Sequence, residues 1–173
     1  MWSHTLGYGT VLSPRPHIIL IDGRSGVGKT HLAVRVADAL DATLVHLDDA
    51  YHGWGGLGAG RDEVIESVLT PLAAGLPGQY CAWDWERDIA GNIVDVPPAA
   101  VVVIEGCGVS TPRSRELAST VVWVECDETV RMRRLFGRDR GEFNHLYEAW
   151  DAQVNDHIAH NYPITTATVI VRT

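Results

Sequence analysis

Lysine is nearly missing from this chain of 173 residues: of 14 basic side chains only Lys29 is a lysine, and the rest are arginines. An N-K-x-D element, which reads guanine, cannot exist here, because the one lysine follows a glycine. That argues against a GTPase switch. Cysteine is scarce as well. Cys81, Cys107 and Cys126 are widely spaced with no C-x-x-C pair, so neither a disulfide framework nor a zinc site is indicated. No stretch approaches about 18 consecutive apolar residues. The opening MWSHTLGYGTVLSPRP lacks the basic start and long apolar run of a leader, so the expectation is a cytoplasmic protein with no membrane partner. A net charge of −8 leaves no basic face for a nucleic acid polymer, which needs cations to displace its counterions.

What is present reads as a single domain, residues 1–173. Hydrophobic residues make up 46% and charged residues 21%, as in soluble globular proteins. Short apolar runs at 17–22, 42–47, 100–106, 120–126 and 167–172 predict strands, the first and third continuous enough to be buried on both faces. Helical spacing of Leu32, Ala33, Val36, Ala37 and Leu40 predicts a helix from Lys29. Further helices are expected over 61–75, where Pro71 kinks or ends the run, over 127–137 and over 143–160. Residues 76–99 read as an irregular excursion with a small hairpin. The alternation of strands and helices predicts an α/β domain with a mainly parallel sheet, since parallel neighbours need crossover helices.

Between the first strand and its helix stands GRSGVGKT, residues 23–30, which matches G-x-x-x-x-G-K-[ST] in full. Glycines let the backbone curl until successive N–H groups point inward at phosphate oxygens. The helix start adds its positive end, lysine reaches the β- and γ-phosphates, and the threonine hydroxyl meets Mg²⁺. The chain's one lysine thus stands where phosphate binding requires one. Gly23, Arg24, Ser25, Gly26, Val27, Gly28, Lys29, Thr30 and His31 are the expected ATP-binding residues.

In an open parallel sheet, chemistry gathers beyond the carboxyl ends of the strands. Asp48 and Asp49 follow the second strand and Glu105 follows the third, so three acids share an edge with the phosphate loop. GRSGVGKT, LDDAY, VVVIEG and RMRRLFGRDRG together resemble the uridine kinase and nucleoside/nucleotide kinase branch of the P-loop fold, from about residue 17 onward. The resemblance implies a three-layer P-loop NTPase fold with a five-stranded parallel sheet, Mg-ATP as donor, and a small lid at about 137–143. It implies that Asp48 takes the proton from the acceptor hydroxyl, with Tyr51 matching the family tyrosine. Glu105 matches the acidic Walker B position, so that Thr30, Glu105 and Asp48 are the expected metal-binding residues.

Arg131, Arg134 and Arg138 are spaced i, i+3, i+7, with Arg140 beyond. On a helix they share one face, either as solvated charges paired with Asp127, Glu128 and Asp139 or, by the resemblance, as lid arginines closing on ATP, with Arg134 and Arg138 in catalytic roles beside Lys29. The acceptor-binding insertion is expected at about 49–98. Asp49, Tyr51, His52, Trp54, Tyr80, Trp83, Asp84 and Trp85 are its candidate substrate-binding residues, the tryptophans as stacking surfaces or as core anchors. Between Thr43 and Glu86 the only formal cation is Arg61, which favours a neutral hydroxyl acceptor over a nucleoside monophosphate. His145, His157 and His160 have no supporting ligand spacing and read as solvated. The expected function is a phosphotransferase moving the γ-phosphoryl group of Mg-ATP to a small hydroxyl-bearing, nucleoside-like acceptor, as a monomer or homodimer. A P-loop ATPase or regulatory module without an acceptor, or a nucleoside monophosphate kinase, is the alternative.

Overall fold

The computed structural model describes residues 15–138 and 144–173. Five strands, β1 (His17–Gly23), β2 (Thr43–His46), β5 (Val101–Glu105), β6 (Thr120–Glu125) and β7 (Val169–Arg172), form one sheet in the order β2-β5-β1-β6-β7. Every pairing is parallel. After β1 the chain fills one side of the sheet and then the other, so the strand order reverses at β1 and opens a crevice beyond its carboxyl end.

Side-chain alternation divides the core into two layers. Ile19 and Ile21 of β1, Val103, Val122 and Val124 pack with Ala33 and Ala37 of helix α1 (Lys29–Leu40). Ile18 and Leu20, Val102, Ile104 and Val121 face the other way, onto Leu57 and Val64 of α2 (Leu57–Val64), Leu69, Leu72, and Trp150 and Val154 of α6 (Asn144–Asn161). The inner strands β1, β5 and β6 are therefore buried on both faces, which is why they read as unbroken apolar runs, whereas the edge strand β7 is largely exposed.

The helix expected over 61–75 starts earlier, at Leu57, and does not end at Pro71. It widens into a π-helical turn over Ile65–Leu69 and continues as α3 (Thr70–Ala73). Pro71 lacks an N–H and disturbs the preceding turn, and the widened turn absorbs it. Residues 76–99 are more regular than expected: β3 (Gly78–Asp84) and β4 (Ile89–Val96) pair antiparallel, with a register shift between Cys81 and Trp83. Helices α4 (Pro112–Leu117) and α7 (Pro163–Thr166) and a 3₁₀ turn at Leu47–Asp49 were not foreseen. α4 has a reciprocal cap in which Thr111 and Ser114 satisfy each other's backbone N–H groups. α5 (Glu128–Arg138) follows β6, and the expected lid falls largely on 139–143, outside the described residues. Among the described residues no helix is long and apolar enough to cross a membrane.

Candidate active site

β1 delivers two things to the crevice. Its last residues are Asp22, buried at 1% exposure, and Gly23, where the phosphate loop begins. Asp22 Oδ1 accepts from the N–H of Gly23 (2.7 Å) and Gly108 (2.9 Å), while Oδ2 accepts from Ser110 N–H (2.9 Å) and sits 3.0 Å from His157 Nε2. His157 was expected to be solvated. It is buried, because residues 150, 154 and 157 of α6 share the face packed on the sheet, and its Nδ1 lies 3.1 Å from Asn161 Nδ2. Nδ1 accepts from that amide, which leaves Nε2–H to donate to Asp22. His145 and His160 are exposed as expected.

The loop curls tightly. Gly28 has φ 93, and a Cβ on Gly26 would lie 2.7 Å from the Arg131 carbonyl oxygen, so α5 approaches the loop backbone directly. Lys29 opens α1 and is buried; its Nζ donates to Arg24 O (3.1 Å) and Cys107 Sγ (3.3 Å). Burial opposes its charge, but the Cys107 sulfur and the Asp48 and Glu105 carboxylates outweigh it, and the pKa is raised overall. Burial pushes the Cys107 thiol up.

Glu105 leaves β5 beside this loop, also at 1% exposure. Its Oε1 accepts from Thr30 Oγ1 (3.0 Å) and lies 2.7 Å from His46 Nδ1, a hydrogen bond that raises the histidine's pKa. Its Oε2 is buried without a hydrogen-bond partner. A buried carboxylate oxygen left open beside a threonine hydroxyl fits a hard, oxygen-seeking cation. Among the described residues no three His, Cys, Asp or Glu side chains form a complete metal cage. Magnesium does not need one, since it keeps several of its waters.

A cleft of about 650 Å³ joins these groups to an aromatic wall. Ser25, Gly26, Gly28, Lys29 and Thr30 line it together with Asp48, Asp49, Tyr51, Trp54, Trp85, Tyr147 and Trp150, and with Cys107, Arg134 and Leu135. Asp48 and Asp49 are exposed on the 3₁₀ turn that ends β2. Trp85 Nε1 donates to Asp48 O at 2.9 Å, tying the β3–β4 hairpin tip to that turn. Tyr51 is buried, donates to Cys107 O (2.8 Å) and meets Trp150 edge to face at 4.9 Å. Trp54 lies close to perpendicular to Trp85 (5.8 Å, 72°), Tyr147 (5.5 Å, 84°) and Trp150 (6.1 Å, 87°).

Other expected residues lie outside the cleft lining. Asp84 Oδ1 accepts from the N–H groups of Glu86 (3.1 Å) and Arg87 (3.0 Å), closing the hairpin turn. Trp83 donates to Asp88 Oδ1 (3.2 Å) and stacks on His52 (5.5 Å, 26°), whose Nε2 is 2.9 Å from Glu63 Oε2. Tyr80 is buried in β3, Val27 is buried in the α1 layer, and His31 is exposed on α1. Arg24 bonds Asn155 of α6, and Gly23 is held by Asp22.

The arginine row divides. Arg131 is buried, gripped by Glu128 (2.8 Å) and Asp151 (3.1 Å), and donates to Ser25 O at 3.2 Å; the Glu128 hydrogen bonds raise its pKa, against burial. It therefore props the phosphate loop from behind. Arg134 lines the cleft and donates to Thr173 Oγ1 (3.0 Å), which donates to Val27 O (2.8 Å). The Arg138 side chain and Arg140 lie outside the described residues.

Sequence reasoning overlooked Asp22, His46, Cys107, Tyr147, Trp150, Gln153 and His157. Two signals were available. Asp22 is a lone carboxylate in an apolar run, a position that demands partners. Tyr147, Trp150, Val154 and His157 recur at helical spacing on one face of α6.

A five-stranded parallel sheet, a glycine-rich loop at its switch point and acids on the adjoining strand ends define an α/β fold of the P-loop type. The chain aligns with a protein assigned as a possible uridine kinase from Bacillus stearothermophilus (TM-score 0.65, 18% identity, 93% of this chain and 91% of that one). It aligns with a protein assigned as a fructose transport system kinase from Silicibacter sp. TM1040 (TM-score 0.61, 22% identity, 93% and 92%). Shikimate kinase from Acinetobacter baumannii, solved with shikimate, is similar at TM-score 0.53 and 17% identity, over 92% and 84% of the two chains. At these identities the likeness is one of fold. No family model and no curated protein matches the sequence.

Proposed function

We propose that the protein is a small-molecule kinase that transfers the γ-phosphoryl group of Mg-ATP to a hydroxyl of an acceptor carrying no phosphate of its own, nucleosides and other polyols among the candidates. One observation carries this reading: Lys29, Thr30 and Asp48 line a single cleft, with Glu105 and its open buried oxygen directly behind Thr30. Donor phosphates lie against the loop amides and Lys29, whose raised pKa keeps its charge. Thr30 and Glu105 would hold magnesium, which would supply positive charge to neutralise the donor phosphates.

The acceptor hydroxyl faces Asp48. Its oxygen forms a bond to the γ-phosphorus as the bond from phosphorus to the bridging oxygen breaks. That electron pair leaves on ADP, and the hydroxyl proton passes to the Asp48 carboxylate. Arg134, on the cleft wall beside Gly28, is placed to bear on the donor's charge. A monophosphate acceptor would need cations on the far wall. Arg61 is paired with Asp62 (2.8 Å), and Arg87 is 77% exposed at the hairpin tip beside Asp84.

The test is ATP turnover across a panel of nucleosides, nucleoside monophosphates, polyols and amino alcohols, in wild type and Asp48→Asn. Some acceptor should stimulate turnover. Asp48→Asn should lower the stimulated rate by about 10²–10⁴-fold with nucleotide binding retained. If no acceptor matters and Asp48→Asn changes nothing, the chain is an ATP-binding or ATPase module instead.

A further inference from the structure

We infer that the acceptor is an alcohol bearing an organic ammonium group, recognised by the Trp54–Trp85 corner together with Asp49. This narrows, and rests on, the kinase reading above.

The geometry of the rings points to a cation. Trp54 and Trp85 line the cleft with their planes 72° apart and centroids 5.8 Å apart, so they form a corner rather than two parallel plates. A planar base gains most between parallel faces. An ammonium group has no plane, and it is attracted by the negative face of any indole within about 6 Å of the ring centre. The one stacked aromatic pair among the described residues, His52 with Trp83, does not line the cleft.

Both walls of the corner are held in place. Trp85 is 41% exposed, yet its indole N–H is fixed on Asp48 O at 2.9 Å. Trp54 is backed by the buried rings of Tyr147 and Trp150, and its carbonyl accepts from Gln153 Nε2 at 2.7 Å. A preorganised aromatic surface loses little side-chain entropy when it binds.

Charge agrees with shape. The charged residues that line the cleft are two of each sign: Lys29 and Arg134 stand beside loop residues 24–28, and Asp48 and Asp49 sit on the turn that ends β2, tied through Asp48 O to Trp85. The hairpin tip adds Asp84, Glu86 and Asp88 against Arg87 alone, and Arg87 lies beside Asp84. The acceptor wall therefore attracts a cation and repels an anion. With Asp48 facing the hydroxyl, the adjacent Asp49 is left to meet the ammonium, which fits a hydroxyl a short chain away from the charge.

Choline and 3,3-dimethylbutan-1-ol test this directly, because they share shape and hydroxyl and differ only in the positive charge. Calorimetric titration of the full chain, with a non-hydrolysable ATP analogue and Mg²⁺ present, should give choline at least about tenfold tighter binding. Raised salt should narrow that preference. Trp85→Leu should abolish it and Asp49→Asn should reduce it, in proteins that keep the wild-type circular dichroism; Trp54→Phe, which retains a ring, should preserve part of it. Equal binding, tighter binding of the neutral alcohol, or binding of neither overturns the inference. Turnover separates the two readings. If choline is preferred but no amino alcohol stimulates ATP consumption, the kinase reading falls and cation recognition stands. If nucleosides stimulate and cations neither bind nor react, the kinase reading stands and this inference falls.

Discussion

Asp22 and Glu105 end neighbouring strands at nearly the same height, since Ile21 pairs with Glu105 in the β1–β5 ladder. Each is about 1% exposed. Asp22 has four hydrogen-bond partners shared between both oxygens. Glu105 has two partners on one oxygen and none on the other. Equal burial thus conceals opposite situations. The saturated carboxylate closes the structure around itself, and the unsaturated one leaves a buried oxygen with its hydrogen-bonding capacity unused.

Breaking the saturated acid should cost most. Asp22→Ala leaves three N–H donors and His157 facing a void, so denaturant unfolding should show a loss of about 3–5 kcal/mol. The open acid should behave differently. Glu105→Gln should leave the unfolding free energy within about 1 kcal/mol of wild type, because an unmet demand already exists there. Acceptor-stimulated, magnesium-dependent turnover should nevertheless fall by on the order of a hundredfold or more. If Glu105→Gln destabilises as much as Asp22→Ala, the contrast between the two acids is lost.

A smaller test concerns the pair behind the loop. Arg131 hydrogen bonds, against a little burial, hold the Glu128 carboxyl below its usual range. A carboxyl whose pKa is depressed on folding stabilises fully above its unfolded pKa, and loses that contribution as pH falls through the depressed value. The stability gap between wild type and Glu128→Gln should therefore be constant from neutral pH down to the ordinary carboxylate range and shrink below it. The gap itself should be small, since Glu128 is a surface side chain. A gap that widens on acidification would reverse the assignment.

The glycine-loop half of the cleft was legible because its residues are near one another in sequence. Strand, glycine loop, lysine and helix occupy residues 17–40, and backbone geometry alone dictates where the loop amides point. Glu105 was legible as an acid at the end of a very apolar strand. The aromatic half was not. Trp54, Trp85, Tyr147 and Trp150 come from a glycine-bearing loop, a hairpin tip and one face of a later helix, and only tertiary packing brings them together. Local reasoning therefore kept Trp83, Asp84 and Trp85 as a unit, whereas the hairpin turn sends Trp85 to the cleft, closes on Asp84 and leaves Trp83 against His52. The same limit hid Arg131. Helical spacing put it on a face with Arg134, but Asp151, 20 residues later, determines that it is buried.

Five contacts made by residues 150–157 of α6 set the distance between the two halves. Trp150 donates to Ser25, Asp151 accepts from Arg131, Gln153 holds Trp54, Asn155 meets Arg24 and His157 meets Asp22. Two turns of one helix thus touch the glycine-rich loop, the Arg131 buttress behind it, the Trp54 wall and the root of β1. A helix does not stretch, so this stretch of α6 works as a gauge block between the loop and the aromatic wall. Its amides and those of the phosphate loop should exchange with solvent as one unit, slowing together when nucleotide binds. The spacing between the glycine-rich loop and the aromatic wall is then written in the pitch of an α-helix.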